Sequence, residues 1–201
     1  MNPLLALLAA YLLGAIPFGY LLVKWKTGAD VRSSGSGNIG ATNVLRTTGR
    51  AAGVLTLLLD IGKGYLAVWL AGRLTGQNPD WMSAAALTVM AGHAYPVFLK
   101  FKGGKAVASF VGAFLCLTPV PLAAVLVVFV GVVVGTGYIS MASIIAAATF
   151  PLAVWLILHP AQSVTAAAII AGAFIIYKHS SNLQRLHEGT EHVFRFGGRT
   201  R

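Results

Sequence analysis

Three short polar segments interrupt an otherwise apolar chain, and their residue types suit an anionic ligand. The first reads Ser33-Ser34-Gly35-Ser36-Gly37-Asn38-Ile39-Gly40-Ala41-Thr42-Asn43, with Arg46 three residues on. Glycines leave backbone N–H groups uncovered, Ser and Asn add short donors, and Arg46 adds a cation, a set that fits phosphate. Asn38, Thr42, Asn43 and Arg46 recur at helical spacing, which predicts a short helix opening on the glycines. The candidate ligands here are Ser34, Ser36, Gly37, Asn38, Asn43 and Arg46. Gly35 to Gly40 also match G-x-G-x-x-G, but that pattern binds dinucleotides only after a strand. Here it follows an apolar helical run, so a dinucleotide site is rejected.

The second segment is Gly92-His93-Ala94-Tyr95-Pro96-Val97-Phe98-Leu99-Lys100-Phe101-Lys102-Gly103-Gly104-Lys105. It is not a Walker loop: Leu99 stands where the first glycine is required and Ala106 where Ser or Thr is required. Gly103 and Gly104 permit close backbone approach to a ligand, and Lys105 supplies a point charge for phosphate. His93 lies about two turns inside the end of an apolar run, a depth at which polar groups face the bundle interior. The third segment places His179, Asn182 and Arg185 three residues apart, on one helical face, with Glu188 and Glu191 available to pair with basic neighbours. Asp60 and Lys63 sit three apart within another apolar run and are expected to pair. Ser140 and Ser143 could add hydroxyls. Cys116 is the single cysteine, so no internal disulfide forms, and neither a metal site nor a thiol nucleophile is expected.

The elements that position these residues are membrane helices. Of 201 residues, 57% are apolar and 10% charged, and the mean hydropathy is +0.77, whereas soluble domains carry about 25% charged residues. Seven spans are predicted, at about 3–23, 52–71, 82–99, 107–117, 122–135, 141–158 and 164–177. The fourth and fifth are divided by Thr118-Pro119-Val120-Pro121, a helix breaker. The first run has no basic residue ahead of it, so it reads as a retained helix rather than a cleaved signal. With the N-terminus outside and the C-terminus cytoplasmic, thirteen of the fifteen Lys and Arg residues fall inside, as the positive-inside rule asks. Only Arg73 lies outside, and Lys63 lies within a helix. The net charge of +10 is therefore read as facing anionic lipid, not nucleic acid. The expected architecture is one all-α integral membrane domain over residues 1–201, with 195–201 a disordered tail. All three polar segments fall on the cytoplasmic side, which predicts one shared site.

At these residues the chain resembles the bacterial acyl-phosphate:glycerol-3-phosphate acyltransferases. The resemblance rests on GAIPFG (14–19), GSGNIGATN (35–43) with Arg46, Asp60 with Lys63-Gly64, GHAYPVFLKFKGGK (92–105), YISMAS (138–143), and His179, Asn182, Arg185 and Glu191. It departs at Ala106, where the family has glycine. The resemblance implies an enzyme of the bacterial inner membrane, active at the cytoplasmic face and using no cofactor. It would move a fatty acyl group from acyl phosphate to the sn-1 hydroxyl of glycerol 3-phosphate, giving lysophosphatidic acid and inorganic phosphate in phospholipid biosynthesis. The donor is not acyl-CoA, and the His-x4-Asp dyad of commoner acyltransferases is absent: Phe98 follows His93 and Gln184 follows His179 at that spacing. The implied catalytic residues are His179, Lys105 and Ser36. Ser36, Asn38 and Asn43 would hold acyl phosphate. Arg46, Lys105, Ser143, His179 and Asn182 would hold glycerol 3-phosphate. Ser34, Gly37, His93, Gly103, Gly104 and Arg185 complete the binding set. The base is either the donor's own phosphate or His179. Partners would be the two substrates, membrane lipids and the upstream enzyme that forms acyl phosphate. A transporter or flippase for a phosphorylated metabolite is the alternative, but it needs polar groups through both membrane halves, and the outer half offers little beyond Arg73 and Asp80.

Overall fold

The computed structural model describes residues 3–194, and among them there is no strand. Ten α-helices follow in order: α1 Pro3–Ala15, α2 Phe18–Thr27, α3 Ala41–Thr48, α4 Arg50–Thr75, α5 Pro79–Ala94, α6 Val107–Leu117, α7 Pro119–Thr136, α8 Ile139–Leu158, α9 Gln162–Lys178 and α10 Ser180–His187. Two short 3-10 turns, Val31–Ser33 and Val97–Leu99, lie in the loops after α2 and α5. The expected tail at 195–201, with Arg195, Arg199 and Arg201, lies outside the described residues, as does Met1.

Five helical stretches are long and apolar enough to cross a membrane: Pro3–Thr27, Arg50–Thr75, Pro79–Leu99, Pro119–Thr136 and Ile139–Leu158. The pair α9 and α10, bent by 54° between them, counts as a sixth when taken as one broken span. The remaining expected span, α6, has 11 residues, about 16 Å at 1.5 Å per residue, against a hydrocarbon core of about 30 Å. The exposed faces of these helices carry large apolar side chains such as Leu58, Leu156, Val127 and Val134. In a membrane protein that face meets lipid rather than water.

The chain divides into two compact units, up to Leu117 and from Thr118 onward. In the first, α1 packs on α5 and α4 packs on α6 by backbone contact. A Cβ at Gly14 would strike the Val89 carbonyl, and one at Gly92 the Tyr11 carbonyl; Gly64 and Gly112 meet Ser109 and Ile61 in the same way. Small residues at such crossings allow the close approach that holds helices together in lipid. Pro17 breaks the first span between α1 and α2 because it lacks an N–H and crowds the preceding turn. In the second unit α8 packs on both α7 and α9, with Gly172 against the Ala147 backbone.

Candidate functional site

The first polar segment folds as an open loop that feeds the predicted short helix, α3, whose N-cap is Gly40. Asp30 starts it, accepting hydrogen bonds from the Arg32 backbone N–H at 2.9 Å and from the Arg32 side chain. That guanidinium holds the Asp30 carboxyl below its ordinary range and stacks over Tyr20 at 5.3 Å. The loop's organiser is Asn43, only 2% exposed. Its Nδ2 donates to the carbonyls of Val31 (3.2 Å), Ser34 (3.1 Å) and Asn38 (2.8 Å), and its Oδ1 accepts from the Ser36 N–H at 2.9 Å. Asn43 therefore shapes the cradle from below. Asn38 does similar local work, its Oδ1 accepting from the Gly40 N–H at 2.8 Å.

What this loop presents is exposed: Ser34, Gly35, Ser36 and Gly37 all face outward. Gly35 has φ +59°, and a Cβ there would strike Asn43 Oδ1, so only glycine lets the chain close over the amide. The first turn of α3, with the N–H groups that precede its intrahelical bonds, lies beside this strip. Arg46 is half-buried one turn further on.

The second segment returns to the end of α5. The Gly103 N–H donates to the Ala94 carbonyl at 3.2 Å and the Gly104 N–H to the His93 carbonyl at 3.1 Å. These amides cap α5, and the two glycines are required by packing: a Cβ on Gly103 would meet the His93 carbonyl and Pro96, and one on Gly104 the His93 imidazole at Nε2. The close approach read from the sequence is thus to the chain's own helix end. Ala106 has φ +62° and is fully buried, a left-handed conformation that favours glycine. Its C=O accepts from the Phe110 N–H at the start of α6. Lys105, between Gly104 and Ala106 in the chain, is half-buried.

The first two segments meet in a small core, where Val31, Ile39 and Val44 of the first pack with Leu99 of the second and with Val23. Beneath them lies a buried polar cluster that the sequence only half revealed. Asp60 and Lys63 pair as expected, Oδ1 to Nζ at 2.8 Å. Lys63 also donates to the Ile16 carbonyl at 2.8 Å, satisfying a backbone acceptor at the break that Pro17 makes. His93 joins from α5, its Nδ1 3.6 Å from Asp60 Oδ1. His93 was expected among the ligands; the structure buries it under the Gly104 turn.

In the second unit α9 ends at His179, which is 3% exposed and sets its Nδ1 2.8 Å from the Ile175 carbonyl. A proton held at Nδ1 leaves Nε2 as the accepting nitrogen of the neutral ring. Asn182 and Arg185 share a face of α10, as their spacing predicted, and both turn to Glu191: Asn182 Nδ2 to Oε1 at 2.9 Å, Arg185 Nε to Oε2 at 2.9 Å. Burial alone would raise the Glu191 carboxyl, but the Asn182 hydrogen bond and the Arg185 charge and hydrogen bond hold it below its ordinary value. Glu191 pairs with a basic neighbour, Arg185, as its sequence context suggests, and also takes the Asn182 amide. Ser143 donates to the Ile139 carbonyl at 2.8 Å within its own helix. Among the described residues no group of three or more His, Cys, Asp or Glu could hold a metal.

Similarity to known proteins extends along nearly the whole described chain. The sequence profile described as "Glycerol-3-phosphate acyltransferase" matches residues 4–189. Curated proteins of that name from Geotalea daltonii and Geobacter sulfurreducens are 46% and 45% identical over 195 residues, covering 96% and 97% of this chain and 98% and 99% of their own. Crystal structures of PlsY (YgiH), an integral membrane glycerol 3-phosphate acyltransferase, superpose with TM-scores of 0.92 for the glycerol 3-phosphate form and 0.89 for the lysophosphatidic acid form. They are 39% and 37% identical, and in each case 97% of this chain and 96% of the other is covered. With its Ser-Gly loop, its Gly-Gly-Lys turn and its helical membrane architecture, the chain belongs to the glycerol-3-phosphate acyltransferase family.

Proposed function

We propose that this protein transfers a fatty acyl group from acyl phosphate to the sn-1 hydroxyl of glycerol 3-phosphate. The observation that carries the reading is the exposed Ser34–Gly37 strip, held open by buried Asn43 at the head of α3, in a chain of this family. Relatives crystallised in glycerol 3-phosphate and lysophosphatidic acid forms agree with the substrate and product proposed here. The donor assignment rests on the motif resemblance.

In the reaction, the sn-1 oxygen bonds to the acyl carbon and the bond from that carbon to the phosphate oxygen breaks. Inorganic phosphate leaves, and the hydroxyl proton ends on it. A mixed anhydride has a good leaving group, so no covalent enzyme intermediate is needed. Ser36, with Ser34, Gly37 and Asn38, holds the acyl phosphate, and Asn43 shapes their loop. Arg46 and Lys105 hold the glycerol 3-phosphate. Cations near the developing oxyanion lower the barrier. The protein would sit in the bacterial inner membrane, N-terminus outside, with these groups facing the cytoplasm. The upstream enzyme that makes acyl phosphate is its expected functional partner.

Purified protein supplied with palmitoyl phosphate and glycerol 3-phosphate should release inorganic phosphate and form lysophosphatidic acid. Transfer from palmitoyl-CoA in its place, with none from palmitoyl phosphate, would overturn the donor assignment.

A further inference from the structure

A buried polar cluster joins α4 to α5. Asp60, Lys63 and His93 have side chains 3%, 2% and 4% exposed. A carboxylate within a membrane helix needs a partner, and Lys63 at 2.8 Å supplies it. Burying a third polar ring beside that pair adds desolvation without adding charge balance. The imidazole, however, bridges two parts of the fold. One edge, Nδ1, faces Asp60 at 3.6 Å. The other, Nε2, occupies the place where a Gly104 Cβ would be. Gly104 in turn is bonded through its N–H to the His93 carbonyl, and the next residue is Lys105.

We propose that Asp60 is a positioning residue for the acyl transfer: through the His93 imidazole it sets the seat of Gly104, and so the place at which Lys105 meets a phosphate. The carboxylate attracts the Nδ1 edge of the ring and fixes its rotation. The fixed ring is the surface on which the Gly104 turn rests. With Ala106 locked on the other side by its bond to α6, Lys105 has little freedom of direction. Lys63 balances the carboxylate and ties it to the α1–α2 break through Ile16. The inference rests on the reading that Lys105 holds the phosphate of glycerol 3-phosphate.

The test uses the full-length protein in lipid, with phosphate release from palmitoyl phosphate followed against glycerol 3-phosphate concentration. Asp60→Asn and Gly104→Ala should each lower kcat/KM for glycerol 3-phosphate by about ten- to a hundredfold, the range that misplacement by about 1 Å produces. The KM for palmitoyl phosphate should stay within about twofold. His93→Ala should lose as much kcat/KM for glycerol 3-phosphate, and Asp60→Asn/His93→Ala no more than His93→Ala alone, because Asp60 acts through the ring. Normal kinetics per folded molecule in Asp60→Asn and Gly104→Ala, with only a lowered Tm, would show a structural cluster and overturn the proposal. Losses that multiply in the double variant would overturn it as well. If Asp60→Asn fails to fold, His93→Ala decides, because it leaves the Asp60–Lys63 pair intact and normal kinetics there would overturn the proposal. Lys105→Ala separates the layers: unchanged dependence on glycerol 3-phosphate removes Lys105 from that site and the proposal with it, whereas a raised KM there with normal Asp60 and Gly104 variants removes the proposal alone.

Discussion

Asn43 should be the most sensitive residue of the Ser-Gly loop, because four of the loop's backbone groups bond to its amide. Replacing it with Ala removes one acceptor and a two-hydrogen donor that three carbonyls share. A net hydrogen bond is worth about 1 kcal/mol, and a buried polar group left unpaired costs about 1–3 kcal/mol. The bond to the Val31 carbonyl is fully buried, whereas the other three are part-buried, where water can replace the amide. Counting one orphaned carbonyl and one or two lost bonds, Asn43→Ala should cost roughly 2–4 kcal/mol. At about 2–4 °C per kcal/mol for a chain of this size, Tm falls by roughly 5–15 °C.

Asn43→Asp makes the sharper test. It keeps the acceptor for the Ser36 N–H but sets a carboxylate oxygen against three carbonyls, within about the 2.8–3.2 Å that the amide nitrogen now occupies. A buried charge without donors costs more than an empty space, so Asp should be worse than Ala. Thermal unfolding in detergent, read by a thiol-reactive dye on the half-buried Cys116, gives the ranking. Phosphate release at saturating glycerol 3-phosphate gives the KM for palmitoyl phosphate, which should rise in both variants. An Asn43→Asp variant with wild-type Tm and wild-type KM would refute the reasoning, because the loop would then not depend on the amide.

Three further outcomes follow from single features. Arg46→Ala should raise the KM for glycerol 3-phosphate more than that for palmitoyl phosphate; equal dependence on glycerol 3-phosphate in variant and wild type would take Arg46 out of that site. Glu191 has a folded pKa held below the ordinary 4.5, so its contribution to stability is present above about pH 4.5 and is lost as pH falls through the folded value. Glu191→Gln should therefore lower Tm near neutral pH and flatten the fall in Tm below pH 4.5, and an unaltered acid limb would argue against the Asn182–Arg185–Glu191 hub. Ala106→Gly relieves a left-handed strain of about 1–2 kcal/mol but gives up a buried methyl worth about 0.8 kcal/mol and adds about 0.5–1 kcal/mol of chain entropy. It should leave stability within about 1 kcal/mol of the original, and a loss above about 2 kcal/mol would mean that the methyl has a packing role beyond its area.

Local signals were legible in the chain and long-range ones were not. The start of α3 after Gly40, the shared face of Asn182 and Arg185 and the Asp60–Lys63 pair all follow from residues a few positions apart, where helical spacing decides contact. The apolar run at Val107–Leu117 has the bounds of α6, but at 11 residues it is shorter than a bilayer crossing needs, because hydropathy reads apolarity and not reach. The ends of α1 and α5 show the same limit: Gly14 and Gly92 look like flexible residues in sequence, yet each meets a carbonyl of the other helix.

The Gly-Gly-Lys turn shows why motif reading alone misplaces a role. Two glycines before a lysine suggest a backbone opened for an anion, and the same two residues are what a chain needs to lie against a helix end. Composition cannot separate these cases, since both demand the absence of Cβ. The amide directions do separate them: Gly103 and Gly104 point their N–H groups at Ala94 and His93, which commits them to capping α5. Of the turn's groups it is then the Lys105 charge that suits a phosphate, and its placement becomes a property of everything packed below it. In the proposed arrangement a buried imidazole and carboxylate on two membrane helices bear on phosphate binding at Lys105, a residue neither of them is shown to touch.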